Sequence, residues 1–508
     1  MSPRSARRLS CRVPRLACLL AALAGTASAA EPAGPGPCLA GVSLGVYPCD
    51  GVDLLAFLNL ADLRPDAARG SSLWGFADRD DGREYALIGL NTGTTVVDLT
   101  DPIRPRVVSS IAGPSSSWRE VKVYQRFDAE AGRYRALAYV TAEAEYGVQI
   151  LDLTDLPDRV VELPPYTGIS TAHTLFLANV DNGTGSANVP GVPPVLYING
   201  SGGCGLVALG LADPANPAFL ACHDVTYAHD IYATVLSGER ARRQCAPGHD
   251  PCEVVFNFAG DVPGPDLRVI DFTDKSNPVE IGSLDYPRHG YAHSGFGTAD
   301  DRFLFLQDEF DEGFLGLNTN VRTIDVSDVR APAMVGGWLG PNRAVDHNGH
   351  TLGHHYYMSN YTRGLTILDV TDPVAPAGLA FFDTYPSGDP PTFDGAWAVY
   401  PYLPSGTLLV SSINDPGGLF VLKEQAANPD LAYLVIARHR AADGTLQVAA
   451  TSSRAPGCAL TAVGFGLLSY DAPRGVYIGT FPAPAAPATV TVTSSCGGTD
   501  THGVPYPL

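Results

Sequence analysis

The stretch VVDLTDPIRP at residues 96–105 decides the fold, because its pattern returns along the chain. A β-branched run is followed by Asp-x-Thr/Ser-Asp, often by Pro, and then by another apolar run. Asp and Thr side chains can bond nearby backbone N–H groups, and Pro ends a strand, so each copy predicts a strand followed by a tight turn. Close copies occupy 96–105, 150–159, 269–278, 323–332 and 367–376, a degenerate copy is at 208–217, and a truncated one is at 420–425.

The spacing of these seven copies indicates the architecture. Their anchor positions are Asp98, Asp152, Gly210, Asp271, Asp325, Asp369 and Leu422. A period of about 50 residues with three or four short strands per unit is typical of propeller blades. Each small sheet is apolar on both faces, and radial packing buries both faces while leaving only short edges. The sequence therefore predicts an all-β fold with a seven-bladed β-propeller at residues 67–425.

The segments on either side of the repeats complete the predicted organisation. Residues 30–66 form an N-terminal lead, in which VDLLAFLNL at 52–60 can supply the strand that the last repeat lacks and so close the ring. Residues 426–508 do not repeat the pattern. They contain short apolar runs separated by Gly and Pro, which predicts a small C-terminal β-sandwich.

Composition excludes several function classes. The chain has 54 Gly and 42 Pro, which favours many short strands over long helices. Its formal charge is −20, and only Lys122, Lys275 and Lys423 are lysines, so binding to nucleic acid or to an anionic membrane is not expected. After the N-terminal segment no apolar run approaches 20 residues, and no transmembrane segment is predicted.

The N-terminus indicates export. Residues 1–29 contain five arginines, no acid, an apolar run and a final Ala27-Ser28-Ala29, the layout of a secretory signal peptide. The eight cysteines that follow are an even number, which in an exported chain predicts disulfides. Sequence neighbours suggest the pairs 38–49, 204–222, 245–252 and 458–496, although spacing does not prove them. We expect a secreted protein, extracellular or periplasmic.

Histidines recur at one place in successive repeats. Aligning the first strand of each predicted blade puts Trp74, Arg119, His173, His229, His293, His347 and Ala396 in one column. The next column holds Gly75, Glu120, Thr174, Asp230, Ser294, Asn348 and Trp397. First strands line the central channel of a propeller, so equivalent positions form a ring. Four histidines from four successive blades should therefore face one level of the channel.

Three roles fit these histidines. A repeated histidine can be a structural part that bonds the backbone of the next blade, it can contact a ligand, or neutral imidazoles can bind Zn, Cu or Fe. In the metal interpretation, carboxylates such as Asp230 or Asp346 would orient the rings. His354 and His355 are additional histidine candidates. The candidate ligand-binding residues of the channel are Trp74, Arg119, Glu120, Asp230, Asp308, Glu309, Asp346 and Trp397.

Calcium is a weaker cofactor prediction than a transition metal. The loop DRDDGRE at 78–84 resembles part of a calcium loop, but the bidentate Glu is missing at the right spacing and a hairpin turn explains the residues as well. No nucleophile elbow, Walker loop, dinucleotide fingerprint or H-E-x-x-H motif occurs. Catalytic residues, and whether the protein is an enzyme at all, stay open.

Several pieces of the chain are distinctive, among them YPCDGVDLLAFLNLADL at 47–63, SSWREVKVY at 116–124, DEFDEG at 308–313 and DGAWAVYPYLPSG at 394–406. With these pieces, residues of about 38–425 resemble the choice-of-anchor B family, whose propellers carry LVIVD-type repeats. The resemblance implies a bacterial exported or surface protein with a variable C-terminal attachment device, from which residues 426–508 depart. It implies no reaction, so no catalytic residue is carried over.

Two functional hypotheses follow from the sequence. The first is a binding or interaction module whose channel mouth contacts an extracellular ligand or surface polymer. The alternative is a metal-dependent enzyme, a hydrolase or an oxidase, that uses His173, His229, His293 and His347.

Overall fold

A computed structural model describes residues 34–201, 203–224, 227–260, 262–425, 432–452, 455, 457–472, 474–495 and 498–506. The predicted signal peptide lies outside the described residues. The described chain is all-β and is built from many four-stranded antiparallel sheets. Its helices are only four, seven and four residues long, and none in this part of the chain has the length and apolarity to cross a bilayer.

The described N-terminal segment forms three strands and a short helix. These are β1 (Val42–Ser43), β2 (Tyr47–Asp50), β3 (Val52–Asn59) and α1 (Leu60–Leu63). The helix begins with a capping box, because the Asn59 side chain accepts a hydrogen bond from Asp62 N and the Asp62 carboxylate accepts one from Asn59 N.

Seven sheets follow in chain order. Sheet 1 contains β4 (Gly70–Ala77), β5 (Glu84–Leu90), β6 (Gly93–Asp98) and β7 (Arg106–Ala112), and sheet 2 contains β8 (Val121–Asp128), β9 (Arg133–Val140), β10 (Val148–Asp152) and β11 (Val161–Tyr166). Sheet 3 contains β12 (Thr174–Ala178), β13 (Val195–Ser201), β14 (Cys204–Gly210) and β15 (Ala218–His223). Sheet 4 contains β16 (Asp230–Leu236), β17 (Cys252–Phe258), β18 (Leu267–Asp271) and β19 (Val279–Leu284), with α2 (Gly238–Gln244) after its first strand.

The last three sheets have the same strand order. Sheet 5 contains β20 (Ala292–Gly297), β21 (Phe303–Asp308), β22 (Asn320–Asp325) and β23 (Ala333–Leu339), with α3 (Asp311–Phe314) after its second strand. Sheet 6 contains β24 (Asn348–Leu352), β25 (His355–Ser359), β26 (Leu365–Asp369) and β27 (Ala377–Phe382), and the β1–β2 hairpin extends it beside β27. Sheet 7 contains β28 (Ala396–Tyr400), β29 (Thr407–Ser412) and β30 (Gly418–Glu424), and β3 is its fourth strand.

The repeated aspartates form turns. In each of five copies the Asp side chain accepts a hydrogen bond from the backbone N–H two residues later, which satisfies a donor as the chain leaves the third strand. The acceptors are Asp98, Asp152, Asp271, Asp325 and Asp369, at 2.8–3.0 Å.

The first strands bring the seven sheets together. Each first strand contacts the first strand of the next sheet, and β28 of sheet 7 contacts β4 of sheet 1. Second and third strands are largely buried, whereas fourth strands such as β7 and β23 expose most of their residues. The core therefore lies between adjacent sheets, and the first strands lie farthest from the exposed edges.

Two further four-stranded sheets make up the C-terminal region. Their strands are β31 (Ala432–Arg440), β32 (Thr445–Ser452), β33 (Leu460–Ala462), β34 (Gly466–Leu467), β35 (Ser469–Asp471), β36 (Val476–Pro482), β37 (Thr489–Ser494) and β38 (Thr499–Gly503). One core cluster unites both sheets. The region packs against sheets 1 and 2, where the Arg438 guanidinium lies 4.3 Å from the Phe127 ring centroid and the Arg79 guanidinium 4.8 Å from that of Tyr506.

Three predicted disulfides are confirmed. They join Cys38 to Cys49, Cys204 to Cys222 and Cys245 to Cys252. Cys458 is also disulfide-bonded. Its predicted partner, Cys496, lies outside the described residues.

Candidate metal centre

The four aligned histidines lie in one row of adjacent rings. The ring centroids of His173 and His229 are 4.6 Å apart, those of His229 and His293 are 4.4 Å apart, and those of His293 and His347 are 4.4 Å apart. Each residue is at or just before the start of the first strand of its sheet, from β12 to β24. The alignment of the repeats therefore places together residues that are 174 positions apart in sequence (347 − 173).

Three of the rings share one hydrogen-bonding pattern. Nδ1 of His229 donates to the carbonyl oxygen of His293 at 3.1 Å, and Nδ1 of His293 donates to that of His347 at 3.0 Å. Nδ1 of His347 donates to the carbonyl oxygen of Trp397 at 2.6 Å, which Asn348 Nδ2 shares at 3.3 Å. A carbonyl oxygen can only accept, so Nδ1 carries the proton and Nε2 of a neutral ring keeps its lone pair. At His347 the 2.6 Å contact to the Trp397 carbonyl is shorter than the 3.0 Å contact between Nδ1 and Asn348 Nδ2, and we assign the tautomer from it. The structural role and the metal role use different nitrogens of the same ring.

Burial keeps these rings neutral. Because water is excluded, the pKa values of His229 and His293 lie well below the ordinary range, and neighbouring histidines lower them further. Burial also lowers the pKa of His347 to about 3. All three rings are therefore neutral at physiological pH, the state in which imidazole binds metals.

His173 differs from the other three. Its Nδ1 is 2.5 Å from a carboxylate oxygen of Glu143 instead of bonding a backbone carbonyl, and its side chain is 15% exposed. It therefore marks the solvent-facing end of the row.

Glu309 faces the other end of the row. One of its carboxylate oxygens is 3.7 Å from His347 Nε2, and the other is 3.9 Å from His293 Nε2. One ligand atom from each of these three residues lies within 4.8 Å of the other two. Ligand atoms around a tetrahedral ion with bonds of about 2.0–2.2 Å are roughly 3.4 Å apart, so the two distances from Glu309 to the imidazole nitrogens need to shorten by only a few tenths of an ångström.

Tyr361 orients the carboxylate of Glu309. Its hydroxyl donates to Glu309 Oε1 at 2.6 Å, and its ring centroid is 4.5 Å from that of His347. Burial raises the pKa of Glu309 to about 7, and the Tyr361 hydrogen bond opposes that rise. Such a partner fixes a ligating carboxylate in one orientation.

The second cluster with metal-ligand residues does not fit a metal. It consists of Cys245, Cys252 and Asp271, and its two sulfurs are joined in a disulfide. The loop that resembles a calcium site is a hairpin turn, in which Asp78 accepts hydrogen bonds from Asp80 N through its side chain and from Gly82 N through its carbonyl. Among the described residues, the His293–Glu309–His347 group is thus the best candidate for a metal centre.

Several predicted channel residues line a narrow cavity of about 50 Å³ between the first strands. All seven sheets contribute to it, so we call it the first-strand cavity. Lys122 is ion-paired with Glu120, and its ammonium is 4.2 Å from the Trp74 ring centroid. Burial, together with the Glu120 charge, raises the pKa of Asp230 to about 7. Trp74, Glu120 and Asp230 therefore do share one space, together with His350.

The other candidates have different surroundings. Arg119 does not line the first-strand cavity, because its guanidinium donates to the carbonyl oxygens of Leu90 and Pro114. The ring centroid of Trp397 is 5.2 Å from that of His347, and the backbone carbonyl oxygen of Trp397 accepts the hydrogen bond from His347 Nδ1.

The predicted carboxylate partners of the histidines need correction. Asp308 accepts hydrogen bonds from the backbone of the 290–291 loop and from Tyr286 Oη, and Asp346 accepts one from Asp308 N. Neither Asp346 nor Asp230 bonds an imidazole within the described chain. The reason is that backbone carbonyls of the next sheet occupy Nδ1 of His229, His293 and His347, and Glu143 occupies Nδ1 of His173.

The two additional histidine candidates lie outside the row, and His354 is exposed in the turn between β24 and β25. His355 lies beside Glu424, with Nδ1 3.3 Å from a carboxylate oxygen, and not in the row. Sequence reasoning missed Glu143, Tyr291 and Tyr361. The ring centroid of Tyr291 is 5.0 Å from that of His229. Because Tyr291 is only two residues before His293, the repeat alignment could have identified it as a neighbour of the histidines.

Comparisons with known proteins add little about function. No protein-family model matches the chain, and no curated protein matches it. Among solved structures, the chain is similar to a functionally unknown protein from Desulfotomaculum acetoxidans DSM 771, with 10% sequence identity and a TM-score of 0.37. That match covers 59% of this chain and 82% of the other.

Proposed function

We propose that the protein is an exported seven-bladed β-propeller with a C-terminal β-sandwich, and that it binds a transition-metal ion between His293, His347 and Glu309. The single observation that carries the metal assignment is the free Nε2 lone pair of two neutral, buried imidazoles on either side of one carboxylate. Zn²⁺ is the ion we take for testing, because imidazole and carboxylate are both among its usual ligands.

The propeller assignment is supported by the contacts between first strands. These contacts run through all seven sheets and return from β28 to β4. The pairing of β3 with β30 joins the N-terminal segment to the last sheet, an arrangement that ties the two ends of a ring together. The resemblance to the choice-of-anchor B family is consistent with this architecture and stays a proposal.

Export is supported by the cysteines and by the N-terminal sequence. Three disulfides close loops in the described chain, and disulfides persist in oxidising compartments. The basic and apolar residues 1–29, ending in Ala27-Ser28-Ala29, have the layout of a signal peptide. The extracellular or periplasmic location follows from these two features together.

The surroundings of the proposed centre suit a divalent ion. One carboxylate and two neutral imidazoles would leave a complex with a divalent ion at a net charge of +1. A bound ion would supply Lewis-acid chemistry. The chain's own contribution is to hold Glu309 through Tyr361, to fix the imidazole tautomers through backbone carbonyls, and to exclude water.

Calorimetric titration of the metal-free protein with Zn²⁺ tests the proposal. We expect one equivalent to bind, and His347→Ala and Glu309→Gln to lower the affinity at least a hundredfold, because each removes a direct ligand. His354→Ala, at an exposed histidine of the same sheet, is the matched control and should bind like the parent protein.

Absence of stoichiometric binding by the folded protein would refute the metal assignment. So would unchanged affinity in a His293→Ala/His347→Ala double variant whose circular dichroism matches that of the parent protein. The sequence-based interpretation of the channel as a site for an extracellular ligand or polymer stays a prediction beside it.

A further inference from the structure

A second, larger cavity lies at the other end of the first strands. The histidines are at the start of these strands, whereas this cavity of about 500 Å³ is lined by residues near their ends, such as Leu177, Val235 and Leu352. Tyr433 of the C-terminal region also lines it. Its volume is in the range of small-molecule sites.

Aromatic rings form much of the wall of this cavity. The ring centroid of Tyr232 is 6.0 Å from that of Phe176 and 4.9 Å from that of Phe296, so these three rings make one continuous cluster. Tyr402 and Tyr433 also line the cavity. Such clusters of aromatic rings attract cations through the negative potential of their faces.

The charged groups that line the cavity are both acidic. Asp181 Oδ1 accepts a hydrogen bond from Thr184 N, and its other oxygen has no hydrogen-bond partner among the described residues. The Asp301 carboxylate accepts hydrogen bonds from the hydroxyls of Tyr232 and Thr234. The Arg240 guanidinium donates to the backbone carbonyl oxygen of Asp301. Among the described residues, no Lys, Arg or His lines the cavity.

Two buried hydroxyls of the residues that line the cavity have no hydrogen-bond partner among the described residues, those of Thr351 and Tyr433. A buried polar group without a partner costs stability, which a bound molecule with a hydrogen-bonding group would recover.

We propose that this cavity binds a quaternary ammonium compound that carries one hydrogen-bonding group. The aromatic residues that line the cavity would contact the cationic head, Asp181 would be its counter-ion, and the Tyr433 hydroxyl would bond the polar group. A quaternary head suits the cavity because it needs no acceptors for N–H groups and is attracted by aromatic faces. The site is separate from the proposed metal centre and does not depend on it.

Calorimetric titration of the full-length protein with choline and with 3,3-dimethylbutan-1-ol, its neutral isostere, tests this inference. We expect choline to saturate one site and to bind at least tenfold more tightly than the alcohol. Asp181→Asn should weaken choline about tenfold while leaving the alcohol unchanged. Asp158→Asn, at an exposed aspartate of sheet 2, is the matched charge control and should behave like the parent protein.

Three results would overturn the inference: no saturable choline binding, equal affinity for choline and the alcohol, or equal behaviour of Asp181→Asn and Asp158→Asn. If Asp181→Asn does not fold, Tyr433→Leu takes its place. It removes both the ring and the hydroxyl, so unchanged choline affinity in that variant would contradict the assignment, and a loss of tenfold or more would support it.

Discussion

Replacing Leu54 by Ala tests whether the segment before the first repeat is a structural part of sheet 7. Leu54 lies in β3, is 1% exposed and pairs with Leu422 of β30. It belongs to a core cluster with Phe57 and Phe420, whose ring centroids are 4.4 Å apart. Truncating a leucine this buried leaves a cavity, and the expected loss of unfolding free energy is about 3 kcal/mol. That loss corresponds to roughly a hundredfold change in the unfolding equilibrium.

Urea unfolding followed by tryptophan fluorescence measures this change. The four tryptophans are all between residues 70 and 425, so their fluorescence reports on the seven sheets and not on the C-terminal region: Trp74, Trp118, Trp338 and Trp397. Leu39→Ala is the matched control, because Leu39 precedes β3 in the same segment but is 66% exposed. Its effect should stay within about 0.5 kcal/mol.

Equal effects of the two substitutions would refute the reasoning, since they would mean that β3 adds no stability to sheet 7. The Zn²⁺ affinity of the folded Leu54→Ala protein should stay unchanged, because Leu54 lies in the fourth strand of sheet 7, whereas His293 and His347 lie at or just before the start of first strands.

Three further predictions concern buried polar groups. Burial lowers the pKa of His350 to about 3, so as pH falls the unfolded state takes up the proton before the folded state does. In chelator-treated samples below about pH 6.5, the free energy of unfolding of the parent protein should therefore fall by about 1.4 kcal/mol per pH unit relative to that of His350→Phe. Equal slopes for the two proteins in urea unfolding from about pH 6.5 to about pH 4.5 would disprove this. Arg119→Lys should destabilise the folded state by about 2 kcal/mol, because a lysine cannot replace both hydrogen bonds from the guanidinium to backbone carbonyls. A loss below about 0.5 kcal/mol in urea unfolding would show that these two bonds do not stabilise the fold. Tyr361→Phe should lower the Zn²⁺ affinity about ten- to a hundredfold without unfolding the protein, because the Glu309 carboxylate loses the hydrogen bond that orients it. An affinity equal to that of the parent protein in calorimetry would show that Tyr361 does not orient Glu309.

The parts of the fold that depend on local chemistry could be predicted from the sequence. Asp98 and Asp152 form turns because their carboxylates reach a backbone N–H two residues on, which is a property of a few adjacent residues. The pairing of β3 with β30 was within reach because the last repeat lacks a fourth strand and VDLLAFLNL is an apolar segment that belongs to no repeat. The three confirmed disulfides join cysteines that are neighbours along the chain.

The details of the candidate site depend on contacts that no sequence pattern contains. The alignment of repeats brings His293 and His347 together, but it cannot show that backbone carbonyls take their Nδ1 protons. For this reason the sequence suggests Asp230 or Asp346 as the carboxylate that orients a ring, whereas Asp346 accepts a hydrogen bond from the backbone N–H of Asp308. Tyr361 is in the loop between β25 and β26 and reaches Glu309 from another sheet, 52 residues away in sequence.

The packing of the C-terminal region was also beyond sequence reasoning. Arg79, which follows β4 of sheet 1, contacts the ring of Tyr506 in the C-terminal region. Arg438 of the C-terminal region contacts the ring of Phe127 in sheet 2. Arginine–aromatic contacts have no fixed sequence spacing, so neither the docking nor the cavity beside Tyr433 could be anticipated.

X-ray absorption at the zinc edge of the protein with one equivalent of Zn²⁺ tests the central claim most directly. The proposed centre predicts at least two imidazole nitrogens from His293 and His347, and an oxygen from Glu309, at about 2.0–2.2 Å. The imidazole scattering should decrease in His347→Ala and persist in His354→Ala. A spectrum without imidazole scattering, or one that is unchanged in His347→Ala, would contradict the account.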